Sequence, residues 1–255
     1  MPIRISIISY LNTVPFVYGL QNHPIAKELE FHYSTPSQAA KDVSEGKTDL
    51  GIIPSAVIPY IKGGEIVSDY CIGAQDNVAS VLLCSSKPIS EIDLVYLDQD
   101  SRTSVLLSRI LFRKYWKRDP MYAKFDFAKE SLDYSKTYIL IGDKALNFGS
   151  KFDYVYDLAT EWNRFTGLPF VFACWASGRK LDAGFVNELN LALKMGVQNI
   201  ELAAKTIKHE FDYQYAVNYL STNISYDLNR DKRKGLYEFW SLALEELKSK
   251  VRWFG

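Results

Sequence analysis

A chain of 255 residues, 47% of them hydrophobic, can bury a large core, either as one big domain or as two of about 100 to 130 residues. Lysine plus arginine and aspartate plus glutamate both number 30, and no long basic run is present, which argues against a nucleic-acid partner. Cys71, Cys84 and Cys174 are odd in number and far apart, and His23, His32 and His209 are isolated from them and from one another. The expectation is therefore buried thiols in a reducing compartment, no disulfide and no metal.

The N-terminus, MPIRISIISYLN, reaches polar residues after a few apolar ones, with no small-residue cleavage site and no apolar segment of membrane length. A cytoplasmic location without a membrane partner is expected. Ile3 to Ile8 reads as a buried strand that runs into Ser9-Tyr10-Leu11-Asn12-Thr13-Val14-Pro15. Pro15 suits the first turn of a helix over Val14 to Leu20, capped by Asn12 or Thr13. A strand at Leu29 to Tyr33 precedes a helix opened by Pro36 and ended by Gly46. Asp49 to Pro54 is a third strand, ending in the polar Ser55 before a helix over Ala56 to Ile61. Tyr70 to Ala74 and Val78 to Cys84 read as strands around Gln75-Asp76-Asn77, with Asn77 suited to positive φ. Ser80 falls inside the second of these, in apolar company where a hydroxyl needs a partner.

From Ile92 a second unit begins. Leu94 to Leu97 is a strand, Asp98-Gln99-Asp100-Ser101-Arg102-Thr103-Ser104 a polar turn, and Leu106, Leu107, Ile110 and Leu111 recur at helical spacing beyond it. The turn thus sits at a helix N-terminus, where unpaired N–H groups and a partial positive charge join three hydroxyls and a guanidinium to suit a carboxylate or phosphate. Plain capping by Asp100 or Ser101 is the alternative. Arg109, Arg113, Lys114, Lys117 and Arg118, toward the far end, read as solvated surface. A weak strand at 121–127 and a strand at Tyr138 to Ile141 follow, then Gly142-Asp143 and a helix over Lys144 to Phe148. Tyr154 to Tyr156 and the segment Asp157 to Phe165 lead to an apolar strand, Phe170 to Trp175. Beyond Gly178 the pattern is helical, over 182–196, 197–210, 213–220 and 230–250.

Two α/β units, one inserted in the other and left by a returning strand, point to a two-lobed periplasmic-binding-protein-like type II fold with a ligand cleft between lobes. The division expected is lobe 1 at 1–87 and 175–255 and lobe 2 at 88–174. Ser9 and Tyr10 after the first strand, Ser55 after the third, Ser101, Arg102, Thr103 and Ser104, and Gly142 would line that cleft and bind a small molecule. Without an export signal, such a fold reads as an enzyme or an intracellular sensor.

Ser-Tyr-Leu-Asn-Thr-Val-Pro-Phe (9–16), Ile53-Pro54-Ser55, Val78-Ala79-Ser80-Val81, Leu97-Asp98 with Ser101-Arg102-Thr103-Ser104, Ile141-Gly142-Asp143 and Thr166-Gly167-Leu168-Pro169-Phe170-Val171-Phe172-Ala173 stand in one order. With these the sequence resembles the chorismate dehydratase family, from residue 3 to about 245. Each motif alone is weak; the ordered set is specific. Asn77 and Ala159 stand where glycines are expected. The resemblance implies loss of water from chorismate to give 3-(1-carboxyvinyloxy)benzoate, at the start of the futalosine route to menaquinone, with no cofactor. It points to Asn12 and Ser80 as the catalytic positions, with the substrate's own enolpyruvyl carboxylate as a possible base. Asp143 is given no role. A later enzyme of the same route and fold, which cleaves cyclic dehypoxanthinyl futalosine, has a different N-terminal motif. A cytoplasmic module that only binds an aromatic carboxylate is the reading from another class.

Overall fold

The computed structural model describes residues 2–98, 101–127, 129–206 and 211–248. Short apolar strands alternate with helices in the order β1 (Ile3–Ile8), α1 (Val14–Asn22), β2 (Leu29–Ser34), α2 (Pro36–Ser44), β3 (Leu50–Pro54), β4 (Glu65–Ala74), β5 (Val81–Ser85), β6 (Leu94–Asp98) and α3 (Arg102–Ile110). The chain continues through β7 (Met121–Phe125), β8 (Tyr138–Ile141), α4 (Gly142–Phe148), β9 (Tyr154–Asp157), α5 (Leu158–Thr166), β10 (Phe170–Ser177), α6 (Ala183–Gln198), α7 (Ile200–Thr206), α8 (Tyr213–Asn218), β11 (Ser225–Asp227) and α9 (Arg230–Lys248). Gln99 and Asp100 of the expected polar turn, His209 within 207–210, and the expected helix end at 249–250 lie outside the described residues.

Unit 1 comprises Met1–Ala74 and Val171–Asn229. Its sheet has the order β11-β4-β10-β3-β1-β2, with β1 parallel to β2 and β3 and β10 antiparallel to β3. Every residue of β3 and β10 is buried, as their unbroken apolar runs require of strands covered on both faces. Helix α1 packs on α6 at two glycines: a Cβ on Gly19 would fall on the Ala192 carbonyl oxygen and 2.8 Å from the Gly196 amide nitrogen, and one on Gly196 would collide with the Pro15 carbonyl oxygen. Asp49, just before β3, pins the other end of the sheet, taking the Arg4 amide at 2.9 Å, the Arg4 Nε at 3.1 Å and the Arg179 guanidinium at 3.0 Å. The helix expected over Ala56 to Ile61 is a 3-10 helix over Ser55–Tyr60. Pro59 within it lacks an N–H and disfavours helical backbone at Ile58.

Unit 2 comprises Gln75–Phe170 and Arg230–Gly255. Its sheet has the order β7-β6-β8-β5-β9, in which β6 runs parallel to β7 and β8 while β5 is antiparallel to β8 and β9. Leu82, Cys84, Phe125, Tyr138, Leu140, Ala145 and Phe152 form a core on this sheet. Trp162 of α5 is fully buried, edge-on to Phe170 and to Phe239 of α9 with centroids at 5.3 and 6.2 Å. Helix α9 also packs on α3, where Arg113 bridges Glu246 at 3.0 Å and Asp119 at 2.9 Å.

This division differs from the expected lobes of 1–87 with 175–255 and of 88–174. Strand β5 pairs with β8 and β9, so residues 75–87 belong to unit 2, and α9 joins that unit because its apolar face meets Trp162. The basic stretch is also corrected. Arg109 is buried, its guanidinium carbon 4.2 Å from the centre of the Tyr122 ring, and burial lowers its pKa to about 10, which leaves it charged at neutral pH.

Candidate functional site

The candidate residues fall into one cluster in each unit. In unit 1 the parallel register of β1 and β3, Ile5 with Leu50 and Ser6 with Gly51, opens the turns after both strands at the same sheet end. Ser9 is exposed there and Tyr10 and Asn12 are half-buried. Thr13, not Asn12, is the N-cap residue of α1, and its hydroxyl lies 2.6 Å from the Ile8 carbonyl and 2.8 Å from that of Tyr10, tying the turn to the strand. The Asn12 carbonyl accepts from the Tyr226 hydroxyl at 3.0 Å. Burial raises that phenol well above its ordinary pKa, so it stays a donor, and its ring packs edge-on to Phe16 at 5.2 Å. Ser55 is fully buried and donates to the Val171 carbonyl at 2.7 Å, so its proton is committed to joining β3 to β10.

In unit 2, Val81 pairs with Ile141, which sets Ser80 opposite Gly142 at the sheet end. The Gly142 amide donates to the Ser80 carbonyl at 2.8 Å, and α4 begins there with Gly142 at φ +55°. Ser80 is buried and immediately precedes β5 instead of lying inside it. The positive φ expected at Asn77 occurs at Ala79, +59°, a conformation that costs an L-residue roughly 1 to 2 kcal/mol. Asp157 holds that backbone: one carboxylate oxygen accepts from the Val78 and Ala79 amides at 3.1 and 2.7 Å, and the other from Ala159 and Thr160 at 3.0 and 3.2 Å as the cap of α5. Burial pushes the Asp157 carboxyl above its ordinary pKa, while the four amides pull it back.

The register of β6 with β8, Tyr96 with Tyr138 and Leu97 with Ile139, brings the start of α3 to the same end of the sheet. Ser101 is its N-cap, the hydroxyl oxygen accepting from the Ser104 amide at 3.3 Å. Thr103 and Ser104 are buried and Arg102 is exposed. Asp98, buried at the end of β6, pairs with the Lys144 ammonium at 2.8 Å, and that ammonium lies 4.2 Å from the Phe127 ring centre. Asp143 stands in the first turn of α4, after the N-cap Ile141. Unit 2 thus gathers Ser80, Gly142 and Ser101 to Ser104, and unit 1 gathers Ser9, Tyr10, Asn12 and Ser55. Sequence reasoning missed Asp157 and Lys144. The Asp before a helix was readable as a cap, but its second oxygen serves residues 79 and 78 positions away.

Among the described residues no helix is long and apolar enough to cross a membrane. The chain resembles a solved protein from Archaeoglobus fulgidus with TM-score 0.75 at 13% identity, covering 96% of this chain and 97% of that one. It also resembles the periplasmic aliphatic sulphonate binding protein SsuA of Escherichia coli, with TM-score 0.62 at 14% identity, covering 96% and 92%. With its two mixed sheets, the chain has the periplasmic-binding-protein fold. It belongs to the menaquinone biosynthesis family, whose model matches residues 3–245. It is similar to a protein named chorismate dehydratase from Thermus thermophilus, 25% identical over 259 residues, 88% of this chain and 94% of that one. A protein of the same name from Campylobacter jejuni is 29% identical over 178 residues, 68% and 66% of the two chains.

Proposed function

We propose that this chain is a cytoplasmic carbon–oxygen lyase that dehydrates chorismate to 3-(1-carboxyvinyloxy)benzoate, with Asn12 and Ser80 as catalytic residues. Ser9, Tyr10, Ser55, Ser101, Arg102, Thr103, Ser104 and Gly142 are the proposed substrate contacts. The observation that carries the reading is Ser80, a buried serine whose carbonyl accepts from the Gly142 amide and whose two preceding residues, Val78 and Ala79, donate their amides to the Asp157 carboxylate. Membership of the menaquinone biosynthesis family and the two relatives named chorismate dehydratase support the choice of substrate.

In the reaction, the C–H bond at the ether-bearing ring carbon breaks and the neighbouring C–O bond to the hydroxyl breaks, leaving an aromatic ring and water. The lost proton is vinylogous to the ring carboxylate, so charge develops on that carboxylate, and donors aimed at it lower the barrier. The start of α3, with Thr103 and Ser104, suits that task. Neither an amide nor an unassisted hydroxyl is a base at neutral pH, so Asn12 and Ser80 orient the leaving hydroxyl and the carboxylates. Two carboxylates near the unit 2 turns are already engaged, Asp98 by Lys144 and Asp157 by four amides. That favours the substrate's enolpyruvyl carboxylate as the base. Purified protein given chorismate should aromatise the ring in proportion to enzyme concentration, followed by ultraviolet absorbance. Product binding without turnover would make the chain a carboxylate-binding module; neither binding nor turnover would remove chorismate chemistry altogether.

A further inference from the structure

We propose that Asp157 is a positioning residue that aims the Ser80 hydroxyl through the backbone of residues 78–80, an inference that rests on Ser80 being catalytic. Three observations lead to it. Strand order places β5 between β8 and β9, so the peptide entering β5 is reached from both flanks, by Gly142 at the end of β8 and by Asp157 at the end of β9. Ala79 sits at φ +59°, where an L-residue stays only if its surroundings hold it. One oxygen of Asp157 supplies that restraint, accepting from the amides of Val78 and Ala79, and the hydrogen bond at 2.7 Å is the shortest of its four.

The two oxygens of Asp157 divide their tasks. One caps α5 at Ala159 and Thr160; the other reaches residues 78 and 79. A residue that only capped the helix would need the first alone, and serine caps as well as aspartate does. Releasing the second contact frees Ala79 to leave the left-handed region, and any such change rotates the peptide that carries Ser80. The carbonyl of Ser80, fixed by Gly142, then becomes a pivot instead of one of two clamps.

Asp157→Ser separates the two tasks, because it keeps an acceptor for Ala159 and Thr160 and removes the one for Val78 and Ala79. Turnover of chorismate should fall about tenfold or more, with KM within about threefold and the melting temperature within a few degrees of the parent, as expected when a reacting group is misplaced. Asp157→Asn, which turns an amide donor toward the same two N–H groups, should lose at least as much. Each substitution is then repeated in a Ser80→Ala background, where it should cause no further loss, since a residue acting through the Ser80 hydroxyl has nothing left to aim. Wild-type turnover in Asp157→Ser overturns the proposal. An equal fold-loss with and without Ser80 also overturns it and leaves Asp157 a cap and nothing more. Wild-type turnover in Ser80→Ala alone would instead remove the reading of Ser80 as catalytic, whatever Asp157 does. Should both Asp157 variants fail to fold, Ala79→Gly loosens the same peptide while leaving Asp157 in place: a turnover loss confined to the Ser80 background supports the proposal, and unchanged turnover overturns it.

Discussion

Replacing Asp49 by asparagine removes the charge at which the first strand, the third strand and the segment after β10 are tied. Partial burial alone would raise the Asp49 carboxyl, but hydrogen bonds from Arg4 and Arg179 reverse this and hold it at about 2, against an ordinary 3.8. At about 1.4 kcal/mol per pKa unit the shift corresponds to roughly 2.5 kcal/mol. The side chains of Arg4 and Arg179 are 39% and 54% exposed, so solvent screening brings the expected contribution down to about 1 kcal/mol. For a chain of this size that is roughly 2 to 4 °C in melting temperature. The folded value lies below the unfolded one, so the stabilisation is full at about pH 5 and above, starts to fall as pH approaches the unfolded 3.8, and is lost as pH falls through about 2. Urea unfolding of parent and Asp49→Asn at pH 7, 5, 4 and 3 should show a constant gap at pH 7 and 5 that narrows at 4 and further at 3. Because Arg4 and Asp49 stand at the strand starts and the candidate turns follow the strand ends, KM for chorismate should not change. A gap independent of pH from 7 to 3, or no gap at pH 7, would refute the argument.

Ser80→Ala and Asn12→Ala should each lower turnover by about 100 to 1000 fold, the usual loss for a well-placed donor, while product binding suffers less. The pH profile of the residual rate should keep its shape, and near-parental turnover in both variants would move catalysis elsewhere. Thr103→Val or Ser104→Ala should raise KM several-fold with little loss of fold, since α3 packs through Leu107 and Ile110; unchanged KM and turnover in both would take the carboxylate away from this helix start. Gly196→Ala gains about 1 kcal/mol of helix propensity but drives a methyl into the Pro15 backbone, where no rotamer change relieves it. A net destabilisation of about 1 to 2 kcal/mol is expected in urea, and a variant as stable as the parent would show that α1 and α6 can part freely.

The strands β3, β8 and β10 were readable as apolar runs and β1 by the isoleucines at 3, 5 and 7 alternating with Arg4 and Ser6, and Ser101 was readable as a helix start because a hydroxyl before helical periodicity is a local signal. The unit boundaries were not. Only a short polar turn separates β4 from β5, and what sends them to different sheets is the pairing of Val81 with Ile141, a partner no local pattern announces. The left-handed residue was placed at Asn77 by side-chain preference, yet the restraint that puts Ala79 there comes from Asp157, far along the chain. Arg109 read as surface because charge on a helix usually is; Tyr122 of β7 gives its guanidinium an aromatic face to lie on. The ordered motifs single out Asn12 and Ser80 for the proposed catalytic role, where local sequence alone offers a cap and a core hydroxyl.

The passage of the chain from unit 1 to unit 2 after Ala74, back after Phe170 and out again after Asn229 has a consequence for synthesis. A ribosome delivers β1 to β4 long before β10, which must slot between β3 and β4, and it delivers Trp162 long before Phe239 arrives to cover it. Unit 1 cannot complete its sheet until β10 and β11 follow the excursion through unit 2, and unit 2, whose five strands all lie between Val81 and Asp157, cannot cover Trp162 until α9 has emerged. Strand edges and aromatic surface stay open for that interval, the condition under which growing chains associate wrongly or engage chaperones. A cut between the units would therefore separate each from part of itself, and the natural unit of expression is the whole length from β1 to α9.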